Sequence, residues 1–156
     1  MAQMQPSCTL VVPSDLRMLS VVRAFVEAVC HASDLDKRTL HAVILATGEA
    51  VSNVIRHAHR DKPDAQLQLQ CTASDDAFEV SLLDEGEPFD ITAVPHLNPG
   101  ELRIGGRGVY LMRALMDELS CHPRGERGNL LRMMKRCHRT AVDAPSPSTA
   151  PPLPRT

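Results

Sequence analysis

From Leu40 to His59 the chain reads LHAVILATGEAVSNVIRHAH, and its apolar positions return at the helical interval. Counting roughly 100° per residue from Glu49, the side chains of Leu40, Val43, Ile44, Thr47, Val51, Val54, Ile55 and Ala58 gather between about 120° and 240°. That arc predicts the core-facing stripe of one long helix. Glu49 stands opposite it, with Asn53 at roughly +40°, Arg56 at about −20° and His57 at about +80°. The carboxylate and the carboxamide are i,i+4 neighbours pointing away from the apolar centre. On its own such a pair is a solvated helix face. A carboxylate can also orient or deprotonate a hydroxyl, and a neutral amide one turn on can hold magnesium without adding negative charge beside phosphates.

The flanking patterns predict what surrounds this helix. Cys8 to Val12 reads as a short strand stopped by Pro13. Ser14 is expected to cap a first helix with Asp15 in its first turn, and Leu16, Leu19, Val22, Val26 and Val29 recur at helical spacing to about His31. Asp36 is placed to cap the long helix, which should run to the Arg60-Asp61-Lys62-Pro63-Asp64 turn. In Ala65 to Cys71 the alternation is clean, with Leu67, Leu69 and Cys71 on one face and Gln66, Gln68 and Gln70 on the other. A sheet with one wet face takes helices on its other face only. The expectation is therefore an α/β two-layer sandwich, with a mixed, mostly antiparallel sheet.

The next strand, Ala77 to Asp84, places Phe78, Val80 and Leu82 on one parity, and Asp84 shares it. A carboxylate aimed into the layer between sheet and helices is costly unless a donor meets it. Glu85 to Gly105 shows neither period, and a connection of that length inside a compact domain is usually functional or mobile. Ile104-Gly105-Gly106-Arg107-Gly108 then opens a helical pattern through Val109, Leu111, Met112 and Leu115, up to Asp117-Glu118. Glycines at a helix start leave its first N–H groups open to an anion, and Arg107 adds a fixed cation. Leu119 to Cys121 and Leu130 to Arg136 read as two closing strands around the Arg124-Gly125-Glu126-Arg127-Gly128 turn. Met112, Met116, Met133 and Met134 read as core filler.

Composition narrows the class. In 156 residues, 43% hydrophobic, one domain fits residues 1–138, and the Pro-rich run 139–156 is expected to be a disordered tail. A formal charge of −2 offers no electrostatic case for nucleic acid or an anionic membrane. Five cysteines, odd in number and without a C-x-x-C pair, fit reduced thiols, and neither a signal peptide nor an apolar run of about eighteen residues occurs. A cytoplasmic protein is expected. No Walker-type loop, hydrolase triad or metal-ligand spacing is offered.

Glu49-x-x-x-Asn53 on a helix, a strand ending Leu83-Asp84-Glu85-Gly86, a long connection and a Gly106-Arg107-Gly108 helix start resemble, in that order, the ATP-binding (Bergerat-type) fold of gyrase, Hsp90, histidine kinases and MutL. Within that fold the chain is most similar to the small anti-sigma-factor serine kinases: GEAVSNVIRHAH resembles their first nucleotide box, LLDEGEPFD their second, GGRGVYLMRALMDEL their third and GNLLRMMKR their last strand. The resemblance spans roughly Leu10 to Arg136. It implies Glu49 as the catalytic base for a seryl hydroxyl and Asn53 as the magnesium ligand. It further implies that Asp84 accepts from the adenine amino group, that Gly86 allows close approach of the base, and that Gly106, Arg107, Gly108 and Val109 meet the phosphates beneath a closing lid. His57 stands where these kinases often carry histidine. Two positions depart from the pattern: Pro88 replaces a common second glycine, and Asn129 a common threonine.

The implied activity is an ATP- and Mg2+-dependent protein serine kinase. Its implied partners are a STAS-domain anti-anti-sigma antagonist and a sigma factor, with a homodimer formed through the first strand and helix. A histidine kinase is not expected, since its phosphoacceptor helix would need more chain than the residues before Leu10. The alternative is a non-catalytic partner-switching module in which ATP only sets the conformation of the lid.

Overall fold

A computed structural model describes residues 6–60, 62–91 and 107–137. Five strands form one sheet in the order β1-β2-β3-β5-β4: β1 Ser7–Pro13, β2 Gln66–Ala73, β3 Ala77–Asp84, β4 Glu118–Pro123 and β5 Asn129–Arg136. Among the described residues three α-helices, α1 Leu19–Ala32, α2 Lys37–Asn53 and α3 Arg107–Leu115, share its apolar side. The expected two layers are present. The sheet is not mixed, however, because every neighbouring pair is antiparallel. The excursion through α3 carries the chain two strand positions away from β3, and β5 returns into the gap. The two same-direction strands β3 and β4 therefore never touch.

Strand parity sets the layers. Leu67, Leu69, Phe78, Val80, Leu82 and Met133 are fully buried against the helices, whereas Gln66, Gln68 and Gln70 are exposed. On that wet face the Arg132 guanidinium forks onto Glu79 of the adjacent strand, donating to its two carboxylate oxygens at 3.1 and 2.7 Å. α2 packs against both α1 and α3, and buries Leu40, Val43, Ala46, Ala50 and Val51. Ala46 and Ala50 widen the stripe beyond the expected arc, because α3 covers a second side of α2.

The ends of the elements hold the corrections. Asp15, not Ser14, is the cap: its carboxylate accepts from the Arg17 N–H at 2.8 Å at the start of a 3-10 turn, Leu16–Met18, and α1 proper begins at Leu19. Leu16 is accordingly 41% exposed rather than core. Asp36 caps α2 as expected, accepting from the Thr39 N–H at 3.0 Å and from its hydroxyl at 2.6 Å. α2 does not run regularly to Arg60. Beyond Asn53 it widens into a π turn, Val54–Ala58, closed by the His59 N–H on the Val54 carbonyl at 2.9 Å. α3 stops at Leu115, short of Asp117-Glu118, because the Asp117 N–H bonds the Met134 carbonyl and draws the chain into the sheet. Met112, Met116 and Met133 are buried, while Met134 lies on the opposite parity of β5 and is half-buried. Most of the expected lid, residues 92–105, lies outside the described residues, as do Gly106 and the expected tail.

Candidate functional site

The π turn is the first determinant of the site. On a regular helix His59 would lie roughly 80° from Glu49 on the polar side. One extra residue in the turn swings it inward, where it is 4% exposed. There Nε2 accepts from the Glu85 N–H at 3.1 Å, so the ring proton sits on Nδ1, which donates to Ser14 Oγ at 2.9 Å. Burial lowers the His59 pKa, favouring this neutral form, against the opposing pull of Asp84. The same turn brings Ala58 onto the end of β3. A Cβ on Gly86 would collide with that of Ala58 and lie 2.9 Å from the Ala58 carbonyl oxygen. Backbone packing alone therefore demands glycine at position 86.

Between α2, α3 and the ends of β3, β4 and β5 lies a cavity of about 390 Å³, within the range of small-molecule sites. α2 and the π turn contribute Asn53, Val54 and His57, and α3 contributes Val109 and Met112. The sheet supplies Asp84, Cys121, Asn129 and Leu131, and Glu87 to Phe89 with Ile91 close one side. Burial, with Asp84 and Asp90 nearby, pushes the Cys121 thiol up to about 11, so this thiol stays uncharged.

Asp84 is 3% exposed at the inner end. Its Oδ1 accepts from the Gly86 N–H at 2.7 Å and from Asn129 Nδ2 at 3.1 Å. Among the described residues nothing donates to Oδ2. The expected problem of an inward carboxylate is thus half solved by the protein, and one oxygen remains for a ligand. Asn129 also donates to the Glu87 carbonyl at 2.8 Å and accepts from the Phe89 N–H at 2.8 Å.

At the other end α3 meets the acid–amide pair of α2. A Cβ on Gly108 would lie 2.9 Å from Asn53 Nδ2 and 3.2 Å from Glu49 Oε2. The absence of that methyl lets the start of α3, whose first N–H groups have no acceptor within the helix, come beside Glu49 and Asn53. Glu49 and Asn53 are half-buried, Arg107 is exposed at the first position of α3, and Val109 is buried below it. Asn53, His57, Asp84 and Val109 thus line the cavity, with Glu49 and Gly108 at its edge. Gly86 supports it from behind. Among the described residues no cluster of His, Cys, Asp and Glu could by itself cage a metal.

Asn129 and His59 escaped their due weight. Asn129 shares the inward parity of Leu131 and Met133, a signal of the kind that singled out Asp84. His59 gave no signal, because a π turn leaves no mark on a helical wheel.

A cavity of this kind on a helix-covered antiparallel sheet suits a nucleotide-sized ligand, and a model of the histidine kinase-like ATPase domain matches residues 12–135, so the chain belongs to that family. Among curated proteins it is similar to the serine-protein kinase RsbW of Listeria monocytogenes serotype 4a (strain HCC23), 26% identical over 130 residues, 78% of this chain and 83% of that protein. RsbW of Bacillus subtilis (strain 168) is 26% identical over 116 residues, 69% of this chain and 72% of its own. The solved RsbU and RsbW domains of Rv1364c from Mycobacterium tuberculosis superpose with a TM-score of 0.61 at 18% identity, a likeness of fold. That match covers 87% of this chain but only 34% of the solved one. Membership in the family implies ATP binding. Among the described residues no helix is long and apolar enough to cross a membrane.

Proposed function

We propose that the chain is an ATP-dependent protein serine kinase of the partner-switching type, which phosphorylates a STAS-domain anti-anti-sigma antagonist and otherwise holds a sigma factor. One observation carries the reading: Gly108 nests against both Glu49 and Asn53, so the start of α3 and the acid–amide pair of α2 form one centre at the cavity edge. The relatives named serine-protein kinase support the same activity.

In this reading the free oxygen of Asp84 accepts from the adenine amino group and the apolar walls hold the ring. Arg107, the N–H groups of Gly108 and Val109, and Gly106 receive the phosphates, while His57 borders the ribose-phosphate side. The donor set suits magnesium: an ion that keeps several waters and takes phosphate oxygens needs one or two protein oxygens, and Asn53 supplies one without extra charge. Bound there, the ion would neutralise charge on the phosphates. Glu49 accepts the proton of the seryl hydroxyl as its oxygen bonds the γ-phosphorus. The bond to the β-phosphate oxygen breaks and ADP leaves. A homodimer through the β1 and α1 region and a cytoplasmic setting belong to this reading too.

The test is transfer of labelled γ-phosphate to the antagonist. Glu49→Gln, nearly the same size, should slow transfer by about 10²-fold or more while ATP affinity changes little. Partner exchange that proceeds at full strength with Glu49→Gln but fails with Asp84→Asn would favour the non-catalytic module instead.

A further inference from the structure

We propose that Asn129 is a positioning residue that latches Asp84 and the Glu87–Phe89 segment into one unit, and that this unit sets the preference of the cavity for 6-amino over 6-oxo purines. The base-selectivity part rests on the ATP reading above; the latch itself is built from this chain alone.

Asn129 is 2% exposed and opposite Asp84 in the β3–β5 register. A carboxamide has two N–H donors and one acceptor oxygen. Here both donors are spent, on Asp84 Oδ1 and the Glu87 carbonyl, and the oxygen is met by the Phe89 N–H. The reversed amide would set its oxygen against two acceptors and its NH2 against a donor, so the surroundings fix its orientation. The backbone repeats the tie: the Gly128 N–H donates to the Gly86 carbonyl at 2.7 Å, with Gly128 at φ +88°.

The consequence is chemical. With Oδ1 saturated by Gly86 and Asn129, the Asp84 carboxylate cannot rotate without breaking two charge-assisted bonds. Its Oδ2 is held toward the cavity as a pure acceptor. An exocyclic amino group satisfies it, whereas a purine carbonyl at the same place meets it oxygen to oxygen and leaves a buried charge unpaired. The same amide pins Glu87 and Phe89, and with Pro88 between them they line the cavity. A hydroxyl in this position, with one hydrogen to donate, cannot span all three partners. Asn129 therefore couples recognition of the base to the root of the long connection that follows Ile91.

The test uses the full chain and three readouts. In the nucleotide-free protein, Asn129→Ala should speed amide exchange at Phe89 by at least about tenfold, with Leu82 in β3 unchanged as the control for folding. By calorimetry, the wild type should prefer ATP to inosine triphosphate. Asn129→Ala should lose at least about tenfold in ATP affinity, and its ATP to inosine triphosphate ratio should fall toward one. Asn129→Asp matches the side chain in size but lacks both donors, and should do at least as badly. Tolerance of Asp would mean that the residue only fills space, and would overturn the latch. Unchanged exchange at Phe89, or an Asn129→Ala protein that keeps the wild-type ratio, would overturn it as well. A wild type that binds neither triphosphate overturns the selectivity claim together with the kinase reading; wild-type selectivity that survives Asn129→Ala removes the latch alone.

Discussion

Gly86 and Gly108 are both closed to a side chain, but by different neighbours, and the difference predicts different phenotypes. At Gly86 the obstacle is Ala58, including its backbone carbonyl, so the end of β3 and the π turn would have to separate. Gly86→Ala should lower stability by about 1–3 kcal/mol, the usual cost of overpacking a rigid site. At Gly108 the obstacles are the tips of Asn53 and Glu49, which can turn aside. Gly108→Ala should therefore leave the urea midpoint nearly unchanged while reducing phosphotransfer. Urea titration and γ-phosphate transfer on the two variants check this, and the reverse pattern would show that the two glycines have been assigned the wrong roles. Glu49, Asn53 and Asp84 were legible as candidates because period and parity expose a polar residue that departs from its surroundings. The role of Ala58 was not, since it depends on what the chain meets after folding.

α2 illustrates how far an element can be read from its own residues. Its start was predictable: Asp36 precedes a helical pattern, and its carboxyl is held below the usual range by the Thr39 hydroxyl and then the Thr39 N–H. Asp36→Ala should cost about 1 kcal/mol, read as a shift of the urea midpoint at neutral pH. Since the folded pKa is depressed, this cap acts fully above the ordinary carboxylate range and is lost as pH falls through it. The variant and the wild type should therefore converge in acid, and a gap that persists there would show that Asp36 acts by something other than its charge. The end of α2 is a different matter. No residue between Asn53 and His59 breaks a helix, and the π turn arises because His59 finds Ser14 and Glu85 on neighbouring elements.

Across the whole molecule His59 joins the end of β1, the end of α2 and the end of β3. Burial sets its pKa below the ordinary 6.5, with Lys62 lowering it further and Asp84 and Glu85 opposing. As pH falls, the unfolded chain takes up this proton before the folded one. The stability linked to His59 is whole above about 6.5 and declines between there and the folded value. Protonated Nε2 would also oppose the Glu85 N–H that it accepts from. Urea titrations between pH 7.5 and 5.5 should show this decline in the wild type and a shallower one in His59→Gln, whose amide does not titrate. Equal slopes would mean that His59 carries no linkage.

By itself the sequence determined the helices and strands, the wet face of the sheet, the Asp36 cap and the candidacy of Glu49, Asn53 and Asp84. All of these follow from backbone periods that act over a few residues. Leu67, Leu69 and Cys71 alternate with glutamines whatever lies beyond them. Only the tertiary structure decided that β5 enters between β3 and β4, that α2 opens into a π turn, and that Gly108 reaches Glu49 and Asn53. It also decided that Asn129 is a three-way latch, although it had read only as a departure from a threonine. Each of these depends on partners such as Asp84, Phe89 or Ser14 that lie about 40 residues or more away along the chain. A hydrogen bond over that separation is specified by how the layers pack, which no local period encodes.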